Sequence, residues 1–235
     1  MYQLNSNKLS ILCLSLFIIT YLSAFKNGKT TCDRYLINNF LYLLTMLCIY
    51  INSITKLDEE NIEIKPGISF MLFILILSLI FVYNSIKNVL IKHIIWLIII
   101  LSFSYISKVF YDKYDKNQIK EVLFKLMIIL LICIVIALCF PQLIKKNFLI
   151  GLVFSAIILI IMRIIDYFFL NKEYDNKIST LIIVVFSGFM IYDTGRIMKL
   201  KKLCSNTIPA DYLMNTSNLF LDIISIFKNL LRLEE

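Results

Sequence analysis

Apolar residues in this chain come in long runs, not in alternation with polar ones, and short polar or basic segments close each run. Eight runs stand out: Leu9–Phe25, Tyr35–Ile54, Gly67–Tyr83, Ile91–Phe110, Val122–Phe140, Phe148–Leu170, Ile178–Met198 and Tyr212–Leu231. Each is about 17–23 residues long, the length of helix that crosses a ~30 Å hydrocarbon core. The absence of strand-type alternation argues against a membrane barrel. Pro66, Pro141 and Pro209 fall at or just outside run ends, where no helical hydrogen bond is lost. The pattern predicts an all-α, polytopic helical membrane protein, with one transmembrane domain over residues 1–235. It has eight spans, or seven if one of the first two runs does not cross.

Composition strengthens this reading. The 235 residues are 60% hydrophobic and 17% charged, against roughly 45–50% and 25% in a soluble domain. The net charge of +8 is scattered through short inter-span loops, where basic residues set topology, and it predicts no nucleic-acid partner. Lys26, Lys29 and Arg34 follow the first run and a single Lys8 precedes it. Leu9–Phe25 is therefore expected to be an uncleaved anchor with its C-terminal flank in the cytosol. Loops 26–35, 86–92, 141–147 and 199–208 fall on that same side, although Lys and Arg outside the spans divide ten against nine between the two sides. The six cysteines show no CxxC spacing and lie mostly inside apolar runs, which predicts small apolar fillers instead of bridges.

Two carboxylates break the pattern. In the last run, Asn215, Asn218, Asp222, Ser225 and Asn229 recur at spacings of three and four, drawing one polar stripe along a helix. Such a stripe should face protein or water, with Leu219, Phe220, Leu221, Ile223 and Ile224 covering the rest. Polar glue between helices needs no titratable group, so Asp222 turns the stripe from packing device to functional candidate. On the preceding run Asp193 stands three residues before Arg196, a spacing that pairs them on one face. Ser187 and Gly188 would permit close helix approach.

A short connection makes these last two helices antiparallel neighbours, so Asp193 and Asp222 are expected in contact or within one bridging water. Two carboxylates that close cannot both ionise freely, which makes the pair a proton sensor. Its ionised form is a transient hard-oxygen site for Ca2+.

Other positions carry less. His93 reads as an interfacial residue without a partner, and Arg163 and Asp166 as a self-neutralising i, i+3 pair. Asp58-Glu59-Glu60 lacks the spacing of a calcium loop. No HExxH, GxSxG, P-loop or Rossmann fingerprint is present, so the expectation is a protein that is not an enzyme and holds no cofactor or fixed metal.

Ser187-Gly188-Phe189-Met190-Ile191-Tyr192-Asp193-Thr194 resembles the "GFxxYDT" signature of the transmembrane Bax inhibitor motif family. Asp211-Tyr212, Leu219-Phe220-Leu221-Asp222-Ile223-Ile224 and Leu230-Leu231-Arg232 are similar to its "LYLDIINLF…LLR" ending. Together these motifs lie in Leu181–Glu235; upstream only span order and hydropathy agree. The family takes in Bax inhibitor, Golgi anti-apoptotic and lifeguard-like proteins.

The resemblance implies a seven-span bundle, here with an extra N-terminal span, in endoplasmic reticulum or Golgi membranes. It implies a pH-regulated Ca2+ leak that inhibits apoptosis, with Asp193 and Asp222 as sensor and gate. Asn218, Ser225, Asn229 and Arg196 would support them, and the partners are lipid, Ca2+, protons, cell-death membrane proteins or a second copy of the chain. The alternative is a non-conducting scaffold that suppresses cell death by binding other membrane proteins. Three positions depart from the pattern: Gly195 follows "YDT", Ser225 follows "DII", and Lys228 lies inside the last helix. The Ile-, Asn- and Lys-heavy usage points to an AT-rich genome, as in a viral member.

Overall fold

A computed structural model describes residues 6–26, 29–60, 66–83, 85–86, 88–140, 144–205 and 210–234. Eight helices dominate: α1 (Ser6–Ala24), α2 (Tyr35–Glu59), α3 (Pro66–Tyr83), α4 (Val89–Tyr111), α5 (Lys116–Cys139), α6 (Lys146–Phe169), α7 (Asp175–Leu203) and α8 (Tyr212–Arg232). Between α1 and α2, β1 (Phe25–Lys26) and β2 (Lys29–Thr30) pair antiparallel, with Phe25 opposite Thr30. Each helix coincides with one apolar run. Pro66 opens α3; Pro141 and Pro209 lie outside the described residues.

The starts of the helices follow local chemistry. Asp115 caps α5, its Oδ1 accepting from the backbone N–H of Asn117 at 2.7 Å and of Gln118 at 2.8 Å, while Gln118 Oε1 accepts from the Asp115 N–H at 3.0 Å. Asn88 Oδ1 accepts from Leu90 N–H at 2.9 Å before α4, and Asp211 Oδ1 from Met214 N–H at 3.1 Å before α8.

Six helices, α1, α2, α4, α5, α6 and α7, are long and apolar enough to cross a membrane. The apolar stretch of α3 is shorter, and α8 falls short because its polar stripe dilutes its hydropathy. The protein is an all-α, multi-pass membrane protein. Six of the expected eight or seven spans are thus matched by length and composition among the described residues.

The helices group into two compact units. The first takes residues 1–113 and 204–216, and the second 114–203 and 217–235, so the first turn of α8 belongs to one and the rest to the other.

In the first unit α1 lies along α2, α2 on α4, and α3 on α4. Thr20 and Thr45 hydroxyls meet at 2.8 Å, and Ser23 Oγ donates to Asn38 Oδ1 at 2.5 Å. Two disulfides reinforce the unit and overturn the apolar-filler reading for four of the six cysteines. Cys13–Cys48 joins α1 to α2 with Cα atoms 5.5 Å apart, and Cys32–Cys204 joins the segment before α2 to the one after α7 at 5.7 Å. Partners separated by 35 and 172 residues leave no local spacing to read. Cys32–Cys204 ties together two loops expected on one side. It opposes their cytosolic placement, because disulfides persist in oxidising compartments. Cys133 and Cys139 stay free.

His93 is likewise not partnerless. Its Nε2 meets Tyr42 Oη at 3.0 Å and its Nδ1 meets the Val89 carbonyl at 2.7 Å. Tyr42 stacks on Tyr212, ring centroids 5.6 Å apart, and Tyr212 Oη donates to the Thr31 carbonyl. Lys92 Nζ pairs with Asp211 Oδ2 at 2.6 Å, and Asn215 Nδ2 donates to Tyr35 Oη at 2.8 Å. The start of α8 is thereby fastened to α2 and α4.

Alkylating the denatured protein without reductant should label two of its six cysteines, and reduction should expose all six. Mass spectrometry that found six labels before reduction would contradict both bridges.

Candidate functional site

α7 carries Asp175 in its first turn and Lys201 and Lys202 in its last, signs that suit the helix dipole. Two glycines let neighbouring segments press against it. A Cβ on Gly188 would lie 2.6 Å from Leu152 Cδ2 of α6, the close approach that Ser187-Gly188 predicted. A Cβ on Gly195 would lie 1.9 Å from Ile144 Cδ1. The Ile144 carbonyl accepts from Lys199 Nζ at 2.6 Å, holding that segment against the helix. At Gly195, where the chain departs from the family pattern, a side chain would have to push the end of Ile144 aside.

Between these contacts lies Asp193, 8% exposed. Arg196 Nη1 is 3.8 Å from its Oδ1, the i, i+3 pair read from the sequence. The Asn218 side-chain amide donates to the same carboxylate. Asp222, one turn beyond Asn218, is 6% exposed, and its Oδ2 has no hydrogen-bond partner among the described residues. Asp193 is the charge that acts on it. Arg196, Asp193, Asn218 and Asp222 therefore form one cluster in the second unit. Metal-ligating side chains do not gather there in threes: among the described residues no group of three or more His, Cys, Asp or Glu does so.

The rest of the stripe divides. Asn215 serves the first unit through Tyr35. The Ser225 carbonyl accepts from Asn229 Nδ2 at 2.8 Å, and Asn229 Oδ1 accepts from Arg163 Nη1 at 2.8 Å. The apolar residues expected on the other faces of α8 lie there, and they too meet protein. Leu219, Phe220, Ile223, Ile224, Ile226 and Phe227 are all buried, so protein covers α8 on nearly every face. The Arg163–Asp166 pair is corrected. Arg163 reaches Asp175 Oδ1 at 3.1 Å and Ser179 Oγ at 2.6 Å on α7, while Asp166, 2% exposed, accepts from the Tyr174 N–H at 2.9 Å. Sequence spacing favoured the partner one helical turn away, but the α6–α7 turn brings Asp175 nearer. A basic residue inside one apolar run and an acid opening the next were the available signal.

The fold and this cluster define a class: a multi-pass helical membrane protein with two acids buried among its last two helices. Residues 30–233 match the family described as inhibitor of apoptosis-promoting Bax1, and the chain belongs to that family. α1 and β1 precede the matched stretch. Relatives include the Golgi anti-apoptotic proteins of Vaccinia virus strains Lister and LC16m0, each 35% identical over 85 residues. That alignment covers 36% of this chain and 33% of theirs, so the chain matches about a third of their length. No solved structure matches.

Replacing Gly195 by Val should lower stability by about 1–3 kcal/mol, because Ile144 must be displaced. Gly151→Ala, with nothing within 4 Å of its new Cβ, serves as the neutral control. Thermal unfolding in detergent compares the two, and equal melting would deny the close contact.

Proposed function

We propose that this chain is a non-enzymatic, pH-regulated Ca2+ leak pathway of Golgi or endoplasmic reticulum membranes that inhibits apoptosis, with Asp193 and Asp222 as its gate. One observation carries the reading: two buried carboxylates share a cluster, and one of them has an oxygen without a hydrogen-bond donor among the described residues. Burying a carboxylate in the middle of a membrane helix is costly, about 2.5–3.5 kcal/mol on insertion scales, so such groups mark ion or proton pathways. Family membership and the anti-apoptotic name of the viral relatives support the cell-death part.

The proposed mechanism is electrostatic. When the two acids share a proton, a charge-assisted hydrogen bond holds α7 and α8 together at this level. As pH rises and the proton leaves, like charges repel in a poorly solvated setting. The pair then separates or takes a cation between its oxygens. Ca2+ takes 6–8 oxygen ligands, so two carboxylates would suit brief passage and not storage. Leak should therefore grow as pH rises.

Asp193→Asn and Asp222→Asn keep size and hydrogen-bonding capacity but cannot titrate. Each should flatten the pH dependence of Ca2+ flux into proteoliposomes, and Asp222→Asn more so, because Arg196 already compensates Asp193. An unchanged pH profile in both variants would assign the pair a structural role. If both variants still protected cells from a death stimulus without any leak, the scaffold reading would replace this one.

A further inference from the structure

The polar stripe of α8 does not fade into apolar packing at its C-terminal end; it stops at a guanidinium. Arg163 projects from α6, a helix otherwise apolar from Phe148 to Ile165 apart from Ser155. Its Nη1 donates to Asn229 Oδ1 at 2.8 Å, and its Nη2 to Asp175 Oδ1 at 3.1 Å and Ser179 Oγ at 2.6 Å. One side chain thus links α6, the first turns of α7 and the last turns of α8. Its Nε is buried and has no hydrogen-bond partner among the described residues.

Arg232 Nη1 lies 3.7 Å from the same Asp175 oxygen, so one carboxylate serves two guanidinium groups. Lys228 lies one turn before Arg232 on α8. Asp166 is the remaining acid, and it is committed to the Tyr174 N–H. Two guanidinium groups thus converge on one carboxylate where the stripe Asp222–Ser225–Asn229 ends.

A merely structural polar anchor would not need this arrangement. An amide or hydroxyl in place of Arg163 would satisfy Asn229 and Ser179 without setting a second guanidinium on Asp175 beside Arg232. A fixed cation where a polar stripe ends does have an electrostatic consequence. It raises the energy of any cation moving along the stripe, and of a divalent ion twice as much as of a monovalent one.

We propose that Arg163 is the electrostatic barrier of the cation path, a selectivity-determining residue that limits divalent leak independently of the aspartate pair. This rests on the leak reading above. Asp193 and Asp222 set when the path opens; Arg163 sets how readily a cation leaves it. Asp175 tunes the barrier by neutralising part of the guanidinium charge.

The test is the initial rate of Ca2+ uptake into proteoliposomes holding the full chain, at matched protein density and several pH values. Arg163→Gln should leak about threefold faster or more, with the wild-type pH profile retained. Arg163→Lys, which keeps the charge but not the fork, should stay near the wild-type rate. Asp175→Asn removes the compensating anion and should leak more slowly than wild type. These opposite signs separate charge from structure, because loosening the helix contacts would accelerate leak in all three variants. Faster leak in Asp175→Asn, an unchanged rate in Arg163→Gln, or Arg163→Lys as fast as Arg163→Gln would each overturn the assignment. Should Arg163→Gln fail to elute as a folded species, the sign of the Asp175→Asn effect decides alone. A wild-type protein with no leak at any pH would end the leak reading itself. Wild-type leak with normal pH dependence and an indifferent Arg163 would end this assignment only.

Discussion

A carboxylate cannot face hydrocarbon, and Asp222 lies midway along a helix with few places to hide it. That constraint shapes the protein. α8 has to be covered by protein on nearly every face, so its large apolar side chains are spent on contacts with other helices and not with lipid. Phe124, Leu131, Phe154, Ile160 and Phe168 on α5 and α6 are exposed instead, as lipid-facing residues should be. The helix that looks least like a span by hydropathy is the one most completely buried.

The two units meet the cost of enclosing polar groups differently. In the first, Asn38, Thr20, Thr45 and Tyr212 bond to one another or to nearby backbone carbonyls, with one disulfide between α1 and α2 and a second joining the segments before α2 and after α7. In the second, absent side chains do much of the work. Gly188 and Gly195 let Leu152 and Ile144 press against α7, and Arg163 gathers acceptors from α7 and α8. Small residues at helix contacts suit a bilayer, where packing and hydrogen bonds replace the hydrophobic effect as the force between helices.

Asp193 and Asp222 differ in how fully they are satisfied, and the functional reading depends on that difference. Asp193 has Arg196 and Asn218; Asp222 retains an oxygen with no donor among the described residues. A buried acceptor left open is unstable unless a proton, a water or a cation can reach it. In the function proposed above, Asp222 is accordingly the member that responds and Asp193 its reference.

The sequence alone determined the class of fold, because lipid imposes a helix wherever about twenty apolar residues run together, and every run became a helix, with ends displaced by up to six residues from the expected ones. It also determined the candidate acids and the Asp193–Arg196 pair, since both follow from spacing along one helix. Relations between helices lay outside its reach. Cys32 and Cys204 gave no local signal, and His93 found Tyr42 on another helix. Arg163 passed over Asp166 for Asp175 because the turn after α6 folds that acid back toward it. The face of a helix that meets lipid was equally hidden: periodicity places polar residues on one side of α8, but only the packing of its neighbours decides that the apolar side is enclosed as well.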